Sequence, residues 1–165
     1  MQAAWFEQFG SAGDVLAVGN FPKPEAGEGE VLIRLRTSGV NPSDVKKRAG
    51  SFPDLLAGGA IIPHSDGAGI IESVGAGVDE SRIGQRVWTY QAQFARRFGT
   101  AAQYLTIAQS RAVTLPDQVD FASGACLGIP AMTAHRCVFG DGPVEGKSLL
   151  VTGGAGRVEI GRAHV

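Results

Sequence analysis

Cysteine is nearly absent from this chain, with two in 165 residues, which excludes a disulfide scaffold and any four-thiolate zinc site. Cys126 and Cys137 fall in one segment that reads as mainly helical, where eleven positions amount to about 16 Å of rise, too far for a bridge. They are expected to be small buried hydrophobes in a reducing compartment. Charge of one sign is also missing. Fifteen Lys and Arg against 16 Asp and Glu leave a net charge of -1, with no basic face for nucleic acid or an anionic membrane. The basic run Lys46–Arg48 is expected to be a solvated helix face. No apolar stretch approaches the roughly 20 residues that span a bilayer. The start "MQAAWFEQFG" has neither the basic beginning nor the apolar core of a signal peptide, so the cytoplasm is the default compartment.

What the chain does contain is glycine, 24 residues of it, and a 44% hydrophobic share that suffices for one ordinary core. The glycines fall singly between apolar runs, as turn residues of a loop-rich β fold do. "VLIRLRTSGV" sets Val31, Ile33 and Leu35 on one face and Arg34 and Arg36 on the other, the period of a half-buried strand. "DVLAVGNF", "GAGIIESVG", "QRVWTY", "AQYLTIA" and "RAVTLP" are further strand candidates, and so many short strands suggest a barrel or sandwich. "NPSDVKKRAG" predicts a short helix, with Pro42 and Ser43 at its start and Gly50 just past its end.

After Pro116 the pattern changes. "DQVDFASGACLGIPAMTAHRCVFG" predicts two short helices or one kinked at Pro130, beginning with Asp120 as N-cap and ending near Gly140. "GKSLLVTGGAG" then reads as an apolar strand, Leu149 to Val151, entering a glycine turn like the first βα unit of a parallel sheet. Such a turn is either a plain structural turn or a place where backbone amides approach a pyrophosphate.

The segments "VLIRLRTSGVNPSDVKKRAG", "PHSDGAGIIESVGAGVDESRIGQRVW", "GTAAQYLTI", "LPDQVDFASGACLGIPAMTAHRCV" and "GKSLLVTGGAG" together resemble the medium-chain dehydrogenase/reductase superfamily. Within it they are most similar to the zinc-free quinone oxidoreductase branch, which includes zeta-crystallin. The resemblance implies a mainly β fold with some α. A GroES-like β-barrel catalytic domain would occupy residues 1–119, and linking helices with the start of a Rossmann NADPH-binding domain residues 120–158. It also implies hydride transfer from NADPH to a small-molecule quinone or enone, in a parent enzyme that pairs as a homodimer through its cofactor domain. An alkenal or enoyl double-bond reductase shares these motifs. A non-catalytic GroES-like binding module is the other alternative, although a barrel alone has no use for the glycine turn.

Motif by motif, the resemblance puts the zinc ligands of zinc-containing relatives at Asn41, Ser65 and Ile129, none of which can hold zinc. It places Asn41 and Asp44 at the catalytic centre and assigns the cofactor to Asn41, Thr133, Gly153, Gly154, Ala155, Gly156 and Val158. The residues themselves leave other roles open. Asn41 can be a turn residue, Thr133 a helix hydroxyl bonded to its own backbone, and Asp44 a helix cap or a partner of Lys47. Trp88 and Tyr90 are either substrate-facing or buried in the barrel. His64 lies one position from the ligand register and is read as a hydrogen-bonding loop histidine; His135 is read as structural or on the surface. The family pattern has a third glycine at 159, where this chain has Glu159. "IGRAHV" is also the translation of a widely used short-read library adapter, so residues 159–165 are expected to be a non-native tail on a truncated, inactive fragment.

Overall fold

The computed structural model describes residues 1–153 and 156; the expectations for Gly154, Ala155, Val158 and the tail 159–165 lie outside them. Among the described residues, seven strands and four α-helical segments make a mainly β fold. A two-stranded antiparallel ribbon pairs β1 (Gln2–Trp5) with β2 (Ala17–Asn20), and a short helix, α1 (Ala12–Val15), lies between them. The main sheet contains β3 (Glu30–Gly39), β4 (Asp66–Val74), β5 (Arg86–Thr89), β6 (Tyr104–Ala108) and β7 (Ala112–Thr114). Its order is β6-β3-β4-β5-β7, antiparallel throughout. The ribbon continues the sheet's curl through an Ala3–Ala102 bridge and the Ala4 amide on the Ala101 carbonyl. β1 is a strand that the sequence pattern did not reveal. "DVLAVGNF" divides, its first residues joining α1 and only Ala17–Asn20 pairing as a strand.

The alternation in β3 is as expected at Val31 and Ile33, both fully buried, while Arg34 and Arg36 face solvent and Leu35 is half-buried. Leu32 is buried as well: the register slips between Leu32 and Ile33, and the segment Lys23–Ala26 lies beside it. Val31, Ile33, Ile71, Val87, Leu105 and Ile107 form the centre of the core.

The helix α2 (Pro42–Arg48) follows β3 directly, with Pro42 at its first position and Gly50 past its end at φ +91°. Its basic last turn is only partly solvated. Lys46 is exposed, but Lys47 and Arg48 turn back onto Gln93 and the Gly10 carbonyl. Past β7, Arg86 donates to the carbonyls of Asp117 and Val119 at 2.7 and 2.5 Å and fixes the exit of the chain from the sheet. Asp120 then caps α3 (Phe121–Gly124), accepting from the Ser123 amide at 2.7 Å. A single π turn, Leu127–Ala131, leads into α4 (Met132–Phe139), which ends at Gly140. The kink sits at Gly128, with ψ -110°, two residues before Pro130.

Two expectations are corrected. Leu149 to Val151 is not a strand: a parallel strand exists only by pairing, no described strand lies beside it, and Leu150 is 92% exposed. Cys126 and Cys137 are free but exposed rather than buried, because the helical segment packs on the sheet by one side only. Among the described residues no helix is long and apolar enough to cross a membrane.

Gly69 of β4 lies opposite Leu35, and a Cβ there would overlap the Arg34 carbonyl of β3. Gly69→Ala is expected to lower the stability by about 1–3 kcal/mol, seen as a lower urea midpoint at unchanged slope. A midpoint equal to the parent's would show that the two strands part here without strain.

Candidate functional site

β3 runs out at Gly39, and Asn41 begins α2 as its N-cap, buried to 5% exposure. Asp44, at the third helical position, accepts the Asn41 backbone N–H with Oδ2 at 2.7 Å, so one half of a capping box fixes the turn from strand to helix. Asp44 is therefore a helix cap, and Lys47 bonds to Gln93 rather than to it.

The Asn41 side chain is turned the other way. Its Nδ2 donates to Oδ2 of Asp66 at 2.8 Å, and the same carboxylate oxygen accepts the Ile129 backbone N–H at 2.9 Å. Asp66 opens β4, is completely buried, and has no partner for Oδ1 among the described residues. A Cβ on Gly128 would collide with that oxygen, so the π turn approaches the carboxylate because residue 128 is glycine. Asn41, Ser65 and Ile129, predicted to meet at one centre, are thus gathered around Asp66, which the sequence reading did not single out. An acid opening the apolar run "DGAGII" was its only signal, since such a run has no solvent for a charge.

Burial raises the Asp66 carboxyl above its ordinary 3.8; the hydrogen bonds from Asn41 and Ile129 oppose the shift, and the nearby Asp44 charge adds to it. His64, at φ +78°, shares a 2.8 Å hydrogen bond between Nδ1 and Ser38 Oγ, as expected of a loop histidine. Burial holds it below its ordinary 6.5 against the attraction of Asp44.

Two clefts open on this centre and meet at Gln91 and Ile129. The larger, about 810 Å³, is walled by Ser43, Lys47, Phe52, Ser65 and Gln93. The smaller, about 270 Å³, is lined by Tyr90, Gly128, Met132, Thr133 and Cys137, which puts the exposed Thr133 hydroxyl on an open wall. Trp88 lies in β5 with its ring 5.8 Å from that of Tyr90. His135 is exposed against Phe139. Asp44 sits behind the wall and supports it by holding Asn41, of which only 5% is exposed. At the end of the described chain, Gly153 has φ +70° with open space around it, and the Gly156 amide folds back on its carbonyl at 2.8 Å. Gly153 has no side chain to obstruct a phosphate group, and Thr133 stands on the open wall of the smaller cleft.

Residues 27–117 match the model of the alcohol dehydrogenase GroES-like domain. The chain is 38% identical to a quinone oxidoreductase of Rattus norvegicus, over 87% of its own length and 43% of that protein. It is 30% identical to the chloroplastic NADPH-dependent alkenal/one oxidoreductase of Arabidopsis thaliana, over 96% of its length and 42% of that protein. Among solved structures, a mycobacterial protein complexed with NADPH superposes with a TM-score of 0.83 at 31% identity, covering 98% of this chain and 48% of that one. The quinone oxidoreductase of Coxiella burnetii does so with a TM-score of 0.78 at 27% identity, covering 84% and 44%. The chain spans less than half the length of the curated relatives named here.

Both hydrogen bonds to Asp66 fall on one oxygen, so Asp66→Asn retains them with its amide oxygen in that place, whereas Asp66→Ala loses them at about 1–3 kcal/mol. A carboxyl whose folded pKa exceeds its unfolded one stabilises fully below the unfolded value and loses that contribution as pH rises through the folded value. Urea unfolding across a pH series from 3 upward is therefore expected to show a decline above pH 3.8 in the wild type that Asp66→Asn lacks. Parallel curves would mean that Asp66 ionises in the folded protein as freely as in water.

Proposed function

The chain belongs to the alcohol dehydrogenase GroES-like domain family, and from that premise we propose that it is the catalytic half of an NADPH-dependent oxidoreductase that reduces a quinone or related enone without zinc. The observation that carries this reading is the gathering of Asn41, Ser65 and Ile129, which the resemblance sets at the three metal-ligand positions and none of which can hold zinc, around the buried Asp66 beside a large cleft. The relatives named quinone oxidoreductase support the substrate class.

Bound NADPH supplies a hydride, and Thr133, Gly153 and Gly156, with Gly154, Ala155 and Val158 beyond the described residues, are the groups that would hold it. The chain's own residues position, desolvate and polarise. A quinone or enone carbonyl is already electrophilic, so its reduction needs orientation, dryness and a donor for the oxygen on which charge develops. Asn41 is that donor in this reading. One of its amide hydrogens is committed to Asp66, which fixes the amide plane and leaves the second for the substrate. Asp44 holds the Asn41 backbone and so acts as a positioning residue.

The relatives named alkenal/one oxidoreductase and 2-methylene-furan-3-one reductase favour a second reading, double-bond reduction in an open-chain enone. Both readings are tested by extending the chain with the C-terminal half of the rat relative and following NADPH oxidation with 2,3-dimethyl-1,4-naphthoquinone and with a long-chain 2-alkenal. Quinone turnover undiminished by a chelator is expected, with kcat/KM lowered about 100-fold or more by Asn41→Ala. Turnover of the alkenal alone would establish the second reading, and loss of activity to the chelator would end the zinc-free one.

A further inference from the structure

The wall of the larger cleft is rich in donors. Gln93 is only 3% exposed. Its Oε1 accepts from Lys47 Nζ at 2.9 Å, which fixes the orientation of the amide. Its Nε2 is then left buried and without a partner among the described residues, on a side chain that lines the cleft. A buried amide donor lacking an acceptor costs about 1–3 kcal/mol, and a ligand oxygen at that point would remove the cost. The loop around it is tight. Gln91 and Ala95 adopt positive φ of 53° and 55°, and the Ala92 amide is tied to the Ser65 carbonyl at 3.0 Å.

The same wall is cationic. Lys47 is bonded to a neutral oxygen and forms no salt bridge among the described residues. Ser43 Oγ, one turn before it on α2, is buried and also without a partner. Arg97, bonded to the Ala60 carbonyl, adds a second positive charge, while Arg96 is compensated by Glu30 at 3.1 Å. Among the described residues the only carboxylate lining this cleft is the exposed Asp54. Phe52 and Phe94, exposed apolar rings in the same lining, suit a flat organic body. Burial lowers the Lys47 ammonium from its ordinary value and Asp44 opposes the shift, so an anion beside it restores what burial removes.

We propose that Lys47, Gln93 and Ser43 form a carboxylate-binding subsite, and that the cleft selects substrates carrying a carboxylate on a short side chain over their neutral counterparts. Given the reductase reading, on which this rests, the substrate is an enone or quinone acid. Gln93 Nε2 and the free hydrogens of Lys47 Nζ are donors only, and a carboxylate is an acceptor only, with two oxygens to meet them.

The test is calorimetric binding to the chain of 3-(3-methyl-1,4-naphthoquinon-2-yl)propanoate and of its methyl ester. Both ring positions are substituted, which blocks addition by the exposed Cys126 and Cys137. The acid is expected to bind about 10- to 100-fold more tightly than the ester. Lys47→Met should abolish that preference and Lys47→Arg retain it. Gln93→Glu, which keeps the bond to Lys47 but exchanges a donor for an anion, should reverse it. Equal binding of acid and ester, no binding of either, or a preference indifferent to Lys47→Met would overturn the proposal. NADPH oxidation by the extended protein separates the two ideas. Equal turnover of acid and ester keeps the reductase and discards the subsite, whereas acid-selective binding without turnover keeps the subsite and discards the reductase.

Discussion

A carboxylate with no access to water is the constraint around which this molecule is arranged. Asp66 is wholly buried at the start of β4, and ionising it there is unfavourable unless donors converge on it. Two do so, from distant parts of the chain: the Asn41 amide at the junction of β3 and α2, and the Ile129 backbone in the π turn before α4. A single oxygen thereby ties the β core to the helical segment that leaves it. The interruption at Gly128 belongs to the same arrangement, because any side chain at that position would displace the carboxylate.

This junction also explains why the helical segment stays on the sheet although few large apolar side chains hold it there. Gly124 packs against Ala68 and Leu115, Thr37 Oγ1 donates to the Phe121 carbonyl at 2.5 Å, and Arg86 stacks on the Phe121 ring. These contacts anchor α3, and Asp66 anchors the turn after it. Beyond the turn, much of α4 is exposed, and Leu149 and Leu150 are left on the surface. An apolar strand is stable only where a neighbour accepts its hydrogen bonds and covers its side chains.

The chemistry of the site follows from what surrounds this junction. Asn41, Ser65 and Ile129 bring an amide, a hydroxyl and an aliphatic side chain to this centre, and the amide is turned onto Asp66. Behind the wall are the groups that hold geometry, Asp44 and Asp66. On the wall are Ser43, Lys47 and Gln93, the first and last each with a buried polar atom that has no partner among the described residues. α2 serves both sides, since its N-terminus presents Asn41 to Asp66 while its Lys47, six residues further on, reaches the cleft.

The sequence alone determined the elements whose signals are local. The alternation of β3, the Pro42 start and Gly50 stop of α2, the Asp120 cap and the interruption near Pro130 depend on a few neighbouring residues and on backbone preferences that hold in any context. The grouping of Asn41, Ser65 and Ile129 at one centre came instead from the family resemblance. The partners of these residues were beyond its reach. Asp66 and Ile129 are 63 residues apart, and Lys47 and Gln93 are 46 apart. Only the tertiary fold decided that the first pair would bury a charge and the second would line a cleft. It also decided that Cys126 and Cys137 face solvent and that Leu149 to Val151 stays unpaired, because burial and strand pairing depend on what the rest of the chain brings alongside.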